Sequence, residues 1–176
     1  QLIQEQKLVK GPYLESLPDF EKGPLLKALL KENGGFLHNA LSALPEHILD
    51  RPLHKHQEKA FRLTCEDNKN ILVATGTGSG KTETFLYPLA HHLLNDPEPD
   101  KPGVRTLLIY PMNALANDQL YYRIAPLFGV SLADAGITFG RFTSQIRANT
   151  KRSEEESRLY DNEKLMKALG NPSKMP

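Results

Sequence analysis

The sequence predicts an α/β protein, built as a three-layer sandwich around a parallel sheet. Short apolar runs at 71–74, 106–110 and 137–142 have the length and composition of strands buried in such a sheet. Helical patterns separate these runs, so that strands and helices alternate along the chain. A glycine-rich turn follows the first run, and ligands of these sheets bind at the carboxyl ends of the strands.

Residues 1–50 are predicted to form a helical extension ahead of the sandwich, or a linker from a preceding domain. Glycine and proline pairs such as Gly11-Pro12 and Gly23-Pro24 interrupt this segment and favour short helices. Leucines at 25, 26, 29 and 30 form an apolar stripe at helical spacing, which indicates packing against a core. Gly34-Gly35 is typical of a helix stop. Residues 51–176 are then the sandwich domain itself.

The helices of that domain follow from apolar periodicity and from capping residues. Amphipathic or charged helices are predicted over 53–67, 81–94, 113–127 and 153–169. Pro88 falls inside the second of them, where a proline bends or interrupts a helix. Ser153 and Glu156 form a capping box at the start of the last one.

Bulk composition restricts the class of protein without identifying it. The chain has 176 residues, 22 of them basic and 21 acidic, for a formal net charge of +1. No basic excess indicates nucleic-acid binding, although a local row of amides and a few cations can still hold a strand. A single cysteine excludes an internal disulfide and fits a reducing cytosol. No apolar run approaches the roughly 20 residues of a membrane span, so we expect a cytoplasmic protein.

The strongest chemical signal is the run Thr75-Gly76-Thr77-Gly78-Ser79-Gly80-Lys81-Thr82. Its spacing is that of a P-loop, although Thr75 stands where the strict pattern has glycine. The glycines allow a tight turn whose N–H groups point inward at phosphates, and the following helix adds its positive end. Lys81 is predicted to reach the β- and γ-phosphates of ATP, and the Thr82 hydroxyl to ligate Mg²⁺. The alternative is a glycine-rich turn that binds nothing.

Three features that flank the loop indicate which class of nucleotide-binding protein this is. Gln57 lies upstream on a helix, and its amide has the geometry to recognise the N6 and N7 edge of adenine. Pro111, Asn113, Ala114 and Gln119 follow the second strand, where backbone amides and short polar groups can hold a sugar-phosphate backbone. Gly140, Arg141 and Thr143 lie at the end of the third strand, where the glycine permits close approach of the backbone and the other two are predicted to contact phosphates. The simpler alternatives are a surface glutamine, a plain strand-to-helix turn and a half-buried strand end.

These stretches together resemble superfamily 2 helicases of the DEAD/DEAH type. Residues 51–57 resemble the adenine-recognition Q motif, and residues 110–119 resemble motif Ia. The likeness is closest to large bacterial DNA helicases, such as Hrq-like repair helicases and the helicase of the DISARM anti-phage system. It implies the first RecA-like lobe of a motor that couples ATP hydrolysis to movement along DNA, typically 3′ to 5′. It also places Glu83, which closes the core motif, among the nucleotide-binding residues.

The same resemblance implies that part of the motor lies outside this sequence. The acidic motif II, whose aspartate would hold Mg²⁺ and whose glutamate would orient water, has no counterpart after an apolar strand here. The second RecA-like lobe is missing too. We therefore expect the isolated fragment to bind ATP weakly or not at all, and to leave it unhydrolysed.

The expected partners are a nucleic acid, with DNA favoured over RNA, and the remainder of the protein's own chain with its second lobe. Accessory proteins of a defence or repair complex are also expected, and a membrane is not. Two other functions stay open at this point. One is a different P-loop enzyme, such as a kinase or a nucleotide-driven switch. The other is a non-hydrolysing scaffold that keeps the motor fold.

Overall fold

The computed structural model of the protein describes residues 19–32 and 36–143. Three of the predicted features lie outside these residues. They are the segment around Gly11-Pro12, the helix stop at Gly34-Gly35 and the charged helix over 153–169.

The N-terminal extension contributes a strand as well as helices. Strand β1 (Lys22–Leu25) pairs antiparallel with β2 (Pro52–His54), with Lys22 opposite His54. Helix α1 (Leu26–Lys31) follows β1 directly, because the Leu26 and Leu29 side chains turn into the core. A 3-10 turn and the short helix α2 complete the extension, over Asn39–Ala43 and Glu46–Leu49. The extension and the following domain therefore share one small sheet.

Three further helices carry the rest of the described chain. Their bounds are α3 Lys55–Phe61, α4 Lys81–Leu94 and α5 Asn113–Gln119. Wider, π-type turns extend α3 over Arg62–Glu66 and α5 over Leu120–Ile124, and another follows at Leu127–Ser131. The helices predicted over 81–94 and 113–127 are thus present, and α4 runs continuously through Pro88. The helix predicted over 53–67 begins two residues later, at Lys55, because Leu53 and His54 belong to β2 and pair with β1. Within the described residues, no helix has the length and apolar character to cross a bilayer.

The hydrophobic core lies between the N-terminal extension and α4. Leu26, Leu29 and Leu41 from the extension are fully buried against residues of α3, α4 and the helical segment after α5. The rings of Phe61 and Tyr87 meet edge to face, with their centroids 6.0 Å apart. α3 also packs against α4 along its length. This packing fixes the start of α4, and with it the glycine-rich loop.

The predicted parallel sheet is not formed by the described residues, and this part of the fold prediction needs correction. Residues 71–74, 104–110 and 137–143 form neither helix nor strand, and the sheet found in the described chain is the two-stranded β1–β2 pair. The side chains of Leu72 and Phe142 are 96% and 92% exposed. A parallel strand is stable only when neighbouring strands satisfy its backbone groups and helices cover both faces. Among the described residues, no strand lies alongside these three segments. They are called the extended segments from here on, after the conformation that the sequence predicts for them.

Candidate nucleotide site and nucleic-acid face

The glycine-rich loop turns tightly onto the first residue of α4. Gly78 and Gly80 both have a φ of 76°, in the left-handed region that glycine adopts without strain. A Cβ atom on Gly80 would lie 2.3 Å from Nε2 of Gln57, so a side chain has no room there. Inside the loop, the Thr75 and Ser79 hydroxyl oxygens are hydrogen bonded at 2.6 Å. The loop therefore has the close, glycine-dependent turn that a phosphate cradle needs.

Lys81 occupies the centre of this loop with its side-chain ammonium group. Nζ donates to the carbonyl oxygen of Thr75 at 2.9 Å and to that of Gly76 at 2.5 Å. Both acceptors are neutral oxygens, whereas a phosphate oxygen carries negative charge and attracts the ammonium group more strongly. The charged oxygens of a polyphosphate would therefore compete well with these two carbonyls for the ammonium group.

A cavity of about 610 Å³ opens beside the loop. Small-molecule sites typically enclose roughly 300–1,000 Å³, so a nucleotide phosphate chain fits within it. The residues of its wall include the loop from Thr77 to Thr82 and four cationic side chains, Lys22, Arg51, Lys81 and Arg123. Glu83 is the only acidic residue among the described residues that line it. The excess of positive charge suits a polyanion.

Thr82 lies in the same wall, directly after Lys81. Its hydroxyl is an oxygen donor of the hard type that Mg²⁺ prefers, and Mg²⁺ is commonly held together with the phosphates of a bound nucleotide. The residues present therefore fit a magnesium ion that arrives with its nucleotide. Ser79, one turn earlier, is buried within the loop.

Gln57 is placed differently from the adenine-reading role that the sequence predicts. Its side chain is fully buried, and Oε1 accepts a hydrogen bond from the His54 N–H at 2.8 Å. Nε2 donates to the Gly80 carbonyl oxygen at 3.0 Å. Both ends of the amide thus connect the start of α3 to the end of the loop. Adenine recognition by Gln57 stays a prediction, and it requires the side chain to exchange these bonds.

A cluster of three rings supports the loop from the side of α3. The Phe20 and His54 ring centroids lie 5.2 Å apart, and the His54 and His56 rings stack at 5.5 Å. His56 Nε2 also lies 2.9 Å from the Ser79 carbonyl oxygen. Burial, and then the neighbouring charge of His56, lower the pKa of His54 and so favour its neutral ring. Phe20 contacts the loop as well, because its ring lies 3.8 Å from the Cβ position of Gly76.

Glu83 lies one residue beyond Thr82, and its carboxylate is almost completely buried. Its Oε1 is 3.4 Å from a guanidinium nitrogen of Arg123 and 3.7 Å from one of Arg51. Two arginines from distant parts of the chain therefore share one carboxylate oxygen at the edge of the cavity.

Sequence reasoning assigned no site role to several residues that line the cavity or contact the loop. Arg51 and His56 lie inside the stretch that resembles a Q motif, so that stretch was the available signal for them. Phe20, Lys22 and Arg123 carry no local pattern that marks a site, because only the fold brings them to the loop.

The residues predicted to hold a nucleic acid are divided between the surface and the interior. Pro111 and Ala114 are exposed at the start of α5, and Asn113 is half-buried beside them. Gln119, near the end of the same helix, is buried. Its Nε2 donates to Asp118 Oδ2 at 3.3 Å. The first turn of α5 is therefore accessible to a nucleic-acid strand, whereas the side chain of Gln119 faces the protein interior.

The segment Gly140–Thr143 contacts α5 through the side chain of Arg141. A guanidinium nitrogen of Arg141 donates to the side-chain oxygen of Asn117 on α5. Gly140 is exposed, while Thr143 is buried and its hydroxyl has no hydrogen-bond partner among the described residues. The structure thus brings two of the predicted nucleic-acid motifs together, with Arg141 as the connection.

Comparison with known proteins extends this description. The model of the DEAD/DEAH box helicase family matches residues 54–166, which is more than half of the chain. The match begins at the end of β2 and includes the loop, α4 and α5. No solved structure is significantly similar to the chain.

Three relatives illustrate the range of similarity. The Druantia protein DruE of Escherichia coli (strain UMEA 4076-1) is 37% identical over 174 residues, which cover 90% of this chain and 9% of that protein. The ATP-dependent RNA helicase ROK1 of Meyerozyma guilliermondii is 36% identical over 61 residues, covering 35% and 11%. An uncharacterized ATP-dependent helicase of Methanocaldococcus jannaschii, MJ1574, is 39% identical over 67 residues, covering 38% and 9%. The chain thus spans about a tenth of the length of these relatives.

Proposed function

The chain belongs to the DEAD/DEAH box helicase family, and from this premise we propose that it is the ATP-binding part of a helicase or translocase that moves along DNA. Membership implies a RecA-like α/β fold and an activity that depends on ATP. It argues against an unrelated P-loop enzyme such as a kinase. The whole protein's reaction remains a proposal, because the chain covers about a tenth of its relatives.

The cationic cavity beside the glycine-rich loop supports this proposal most directly. Lys81 holds its ammonium group over loop carbonyls, where an incoming triphosphate would replace them as its partner. Lys22, Arg51 and Arg123 add positive charge to the wall of the same cavity. Thr82 would hold Mg²⁺ through its hydroxyl, and the ion would neutralise charge on the phosphates during transfer. Residues 75–80 supply the backbone cradle.

We further propose that the extended segments are strands of a parallel sheet that is completed by the rest of the full-length protein. Half-buried residues alternate with exposed ones over 71–74, 107–110 and 137–142, as at Ile71 and Leu72, which is the pattern of a strand with one covered face. Ile137 and Phe139 already pack on the core from the covered face. In this proposal the remaining strands, motif II and the second lobe lie beyond residue 176, and the fragment alone does not hydrolyse ATP.

We propose that the nucleic acid along which the motor moves is DNA. The proposed pathway is phage defence, with DNA repair as the alternative. The widest of the three similarities, that to the Druantia protein DruE, covers 90% of the chain and must include most of residues 1–50. The likeness to the RNA helicase ROK1 covers 35% of it. The N-terminal extension therefore belongs to the part of the chain that resembles DruE. We place the motor in the cytoplasm, together with accessory proteins of such a complex.

The proposal is tested by phosphate release from the full-length protein, measured with single-stranded DNA and with RNA of the same sequence. We expect DNA to stimulate turnover more than RNA, and Lys81→Ala to abolish turnover. The 176-residue chain, assayed beside it, should release no phosphate. Full-length protein that binds DNA but never hydrolyses ATP would instead favour the non-hydrolysing scaffold. Stronger stimulation by RNA would contradict the choice of DNA.

A further inference from the structure

We propose that the contact between Glu83 and Arg123 couples the nucleotide cavity to the helix that carries the predicted nucleic-acid contacts. This inference rests on the proposed function, since it links the two ligand sites of that motor. Glu83 and Arg123 would act as positioning residues, not as catalytic ones.

Glu83 is well placed to sense the contents of the cavity. It follows Thr82 on α4 and lines the cavity itself. Its side chain is only 8% exposed. Its Oε2 faces the glycine-rich loop, 3.1 Å from the Cβ position of Gly80. A buried carboxylate needs positively charged or donor partners, so its position depends on the charges around it.

Arg123 connects this carboxylate to α5. It lies on the turn Leu120–Ile124, which continues α5 without a break. Its guanidinium group reaches Glu83 Oε1 at 3.4 Å across 40 positions of sequence. One turn and a half earlier on the same helix, Asn117 accepts the hydrogen bond from Arg141. A continuous path thus runs from the cavity through Arg123 and α5 to Gly140–Thr143.

The state of the contact depends on what the cavity holds. Arg123 is itself a cavity-wall residue, with about half of its side chain exposed. A triphosphate in the cavity offers its guanidinium group a second anionic partner, in competition with Glu83. Binding of nucleotide would therefore shift Arg123 away from Glu83 and alter the position of α5. By thermodynamic linkage, a nucleic-acid strand that holds α5 in one position must change the affinity for nucleotide by the same factor as nucleotide changes the affinity for that nucleic acid.

Arg51 provides an internal control for this path. It contacts the same oxygen of Glu83 at 3.7 Å, and it also lines the cavity. It lies just before β2, however, in the part of the chain that pairs with β1. Its removal takes away an equal charge from the cavity but leaves the connection to α5 intact.

The test measures the dissociation constant of labelled Mg-ATP for the full-length protein, with and without saturating single-stranded DNA at one fixed salt concentration. The ratio of the two constants is the coupling factor. In the wild type we expect it to differ from one by at least about fivefold. Arg123→Gln and Glu83→Gln should each bring the factor close to one. The double variant should add nothing further, as expected for residues that act through a single contact.

Two variants separate coupling from general damage. Arg51→Gln should weaken ATP binding through lost charge, but the coupling factor should keep its wild-type value. Arg123→Lys retains the charge and should recover part of the factor. The proposed coupling through Glu83 and Arg123 is wrong if Arg123→Gln and Arg51→Gln change the coupling factor equally. It is also wrong if neither variant changes the factor while both still bind ATP and DNA. A wild-type protein that binds neither ATP nor DNA would remove the proposed function, and this inference with it.

Discussion

The region around α1, α3 and α4 and the three extended segments both contain leucine and phenylalanine side chains, but these side chains have very different surroundings. Leu26 and Leu29 of the first region are fully buried, whereas Leu72 and Phe142 of the extended segments are almost fully exposed. The helices satisfy their own backbone groups and need only one covered face. Strands depend on neighbours for both backbone and side chains.

The difference shows which parts of the site the chain can build alone. The glycine-rich loop lies at the boundary between the two regions. Its end at Gly80 is fixed by Gln57 from α3, while its beginning continues the exposed segment 71–74. The contacts that shape the loop therefore come from the helical region. The segment 71–74, which leads into the loop, has no neighbouring strand among the described residues.

Leucine truncations should show the largest contrast between the two regions. Leu29→Ala is expected to lower the free energy of unfolding by about 2–5 kcal/mol, because it leaves a cavity in the core. Leu72→Ala removes the same atoms from an exposed position, so its effect should stay within about 0.5 kcal/mol. Urea unfolding of the 176-residue chain measures both. An equal loss for the two variants would show that the extended segments are packed after all.

A pair of glycine substitutions tests the boundary itself. Gly78→Ala should cost about 1 kcal/mol, since the residue has a positive φ but open space around its Cβ position. Gly80→Ala has the same φ and would also displace the Gln57 amide, for a total of about 2–3 kcal/mol. The same unfolding experiment compares them. Equal costs would mean that Gln57 does not hold the loop.

The smallest effect concerns the pH dependence of the helical region. His91 Nδ1 accepts a hydrogen bond from the His38 N–H at 3.0 Å. Burial, followed by the charges of His92 and His38, lowers the pKa of His91. Just below the ordinary pKa of about 6.5, the unfolded chain therefore binds more protons than the folded chain. This contribution to stability is complete above that pH and decreases as the pH falls.

His91→Gln should accordingly reduce the loss of stability between about pH 7.5 and about pH 5.5, because glutamine accepts a hydrogen bond without titrating. Unfolding midpoints at the two pH values give the comparison. The extended segments contain no histidine, so they add nothing to this slope. An unchanged slope in the variant would assign the pH dependence to other groups.

The sequence predicted what is encoded locally. The glycine-rich loop and α4 were predicted at their observed positions, because spacing and periodicity within a short stretch determine them. The pairing of β1 with β2 was missed, because Gly23-Pro24 was interpreted only as an interruption between helices. The three strands of the predicted sheet fall on segments that form neither helix nor strand, because a parallel strand requires partners that the described residues do not provide.

The site was predictable to the same extent. Lys81 and Thr82 follow from one motif, and they lie in the wall of the cavity. The bonds of Gln57 to the loop and of Glu83 to Arg123 join residues 23 and 40 positions apart. No local pattern contains such pairs, because they depend on how α3 and the turn that follows α5 lie beside α4.

The most direct test is a calorimetric titration of Mg-ATP into the full-length protein and its Lys81→Ala variant. Loss of the charge-assisted bonds of Lys81, worth about 1.5–3 kcal/mol, should raise the dissociation constant by roughly 10- to 150-fold. Lys101→Ala is the matched control, since Lys101 pairs with Glu98 in an exposed loop away from the cavity, and its affinity should equal that of the wild type. If Lys81→Ala binds Mg-ATP as tightly as the wild type, the cavity beside the loop is not the nucleotide site.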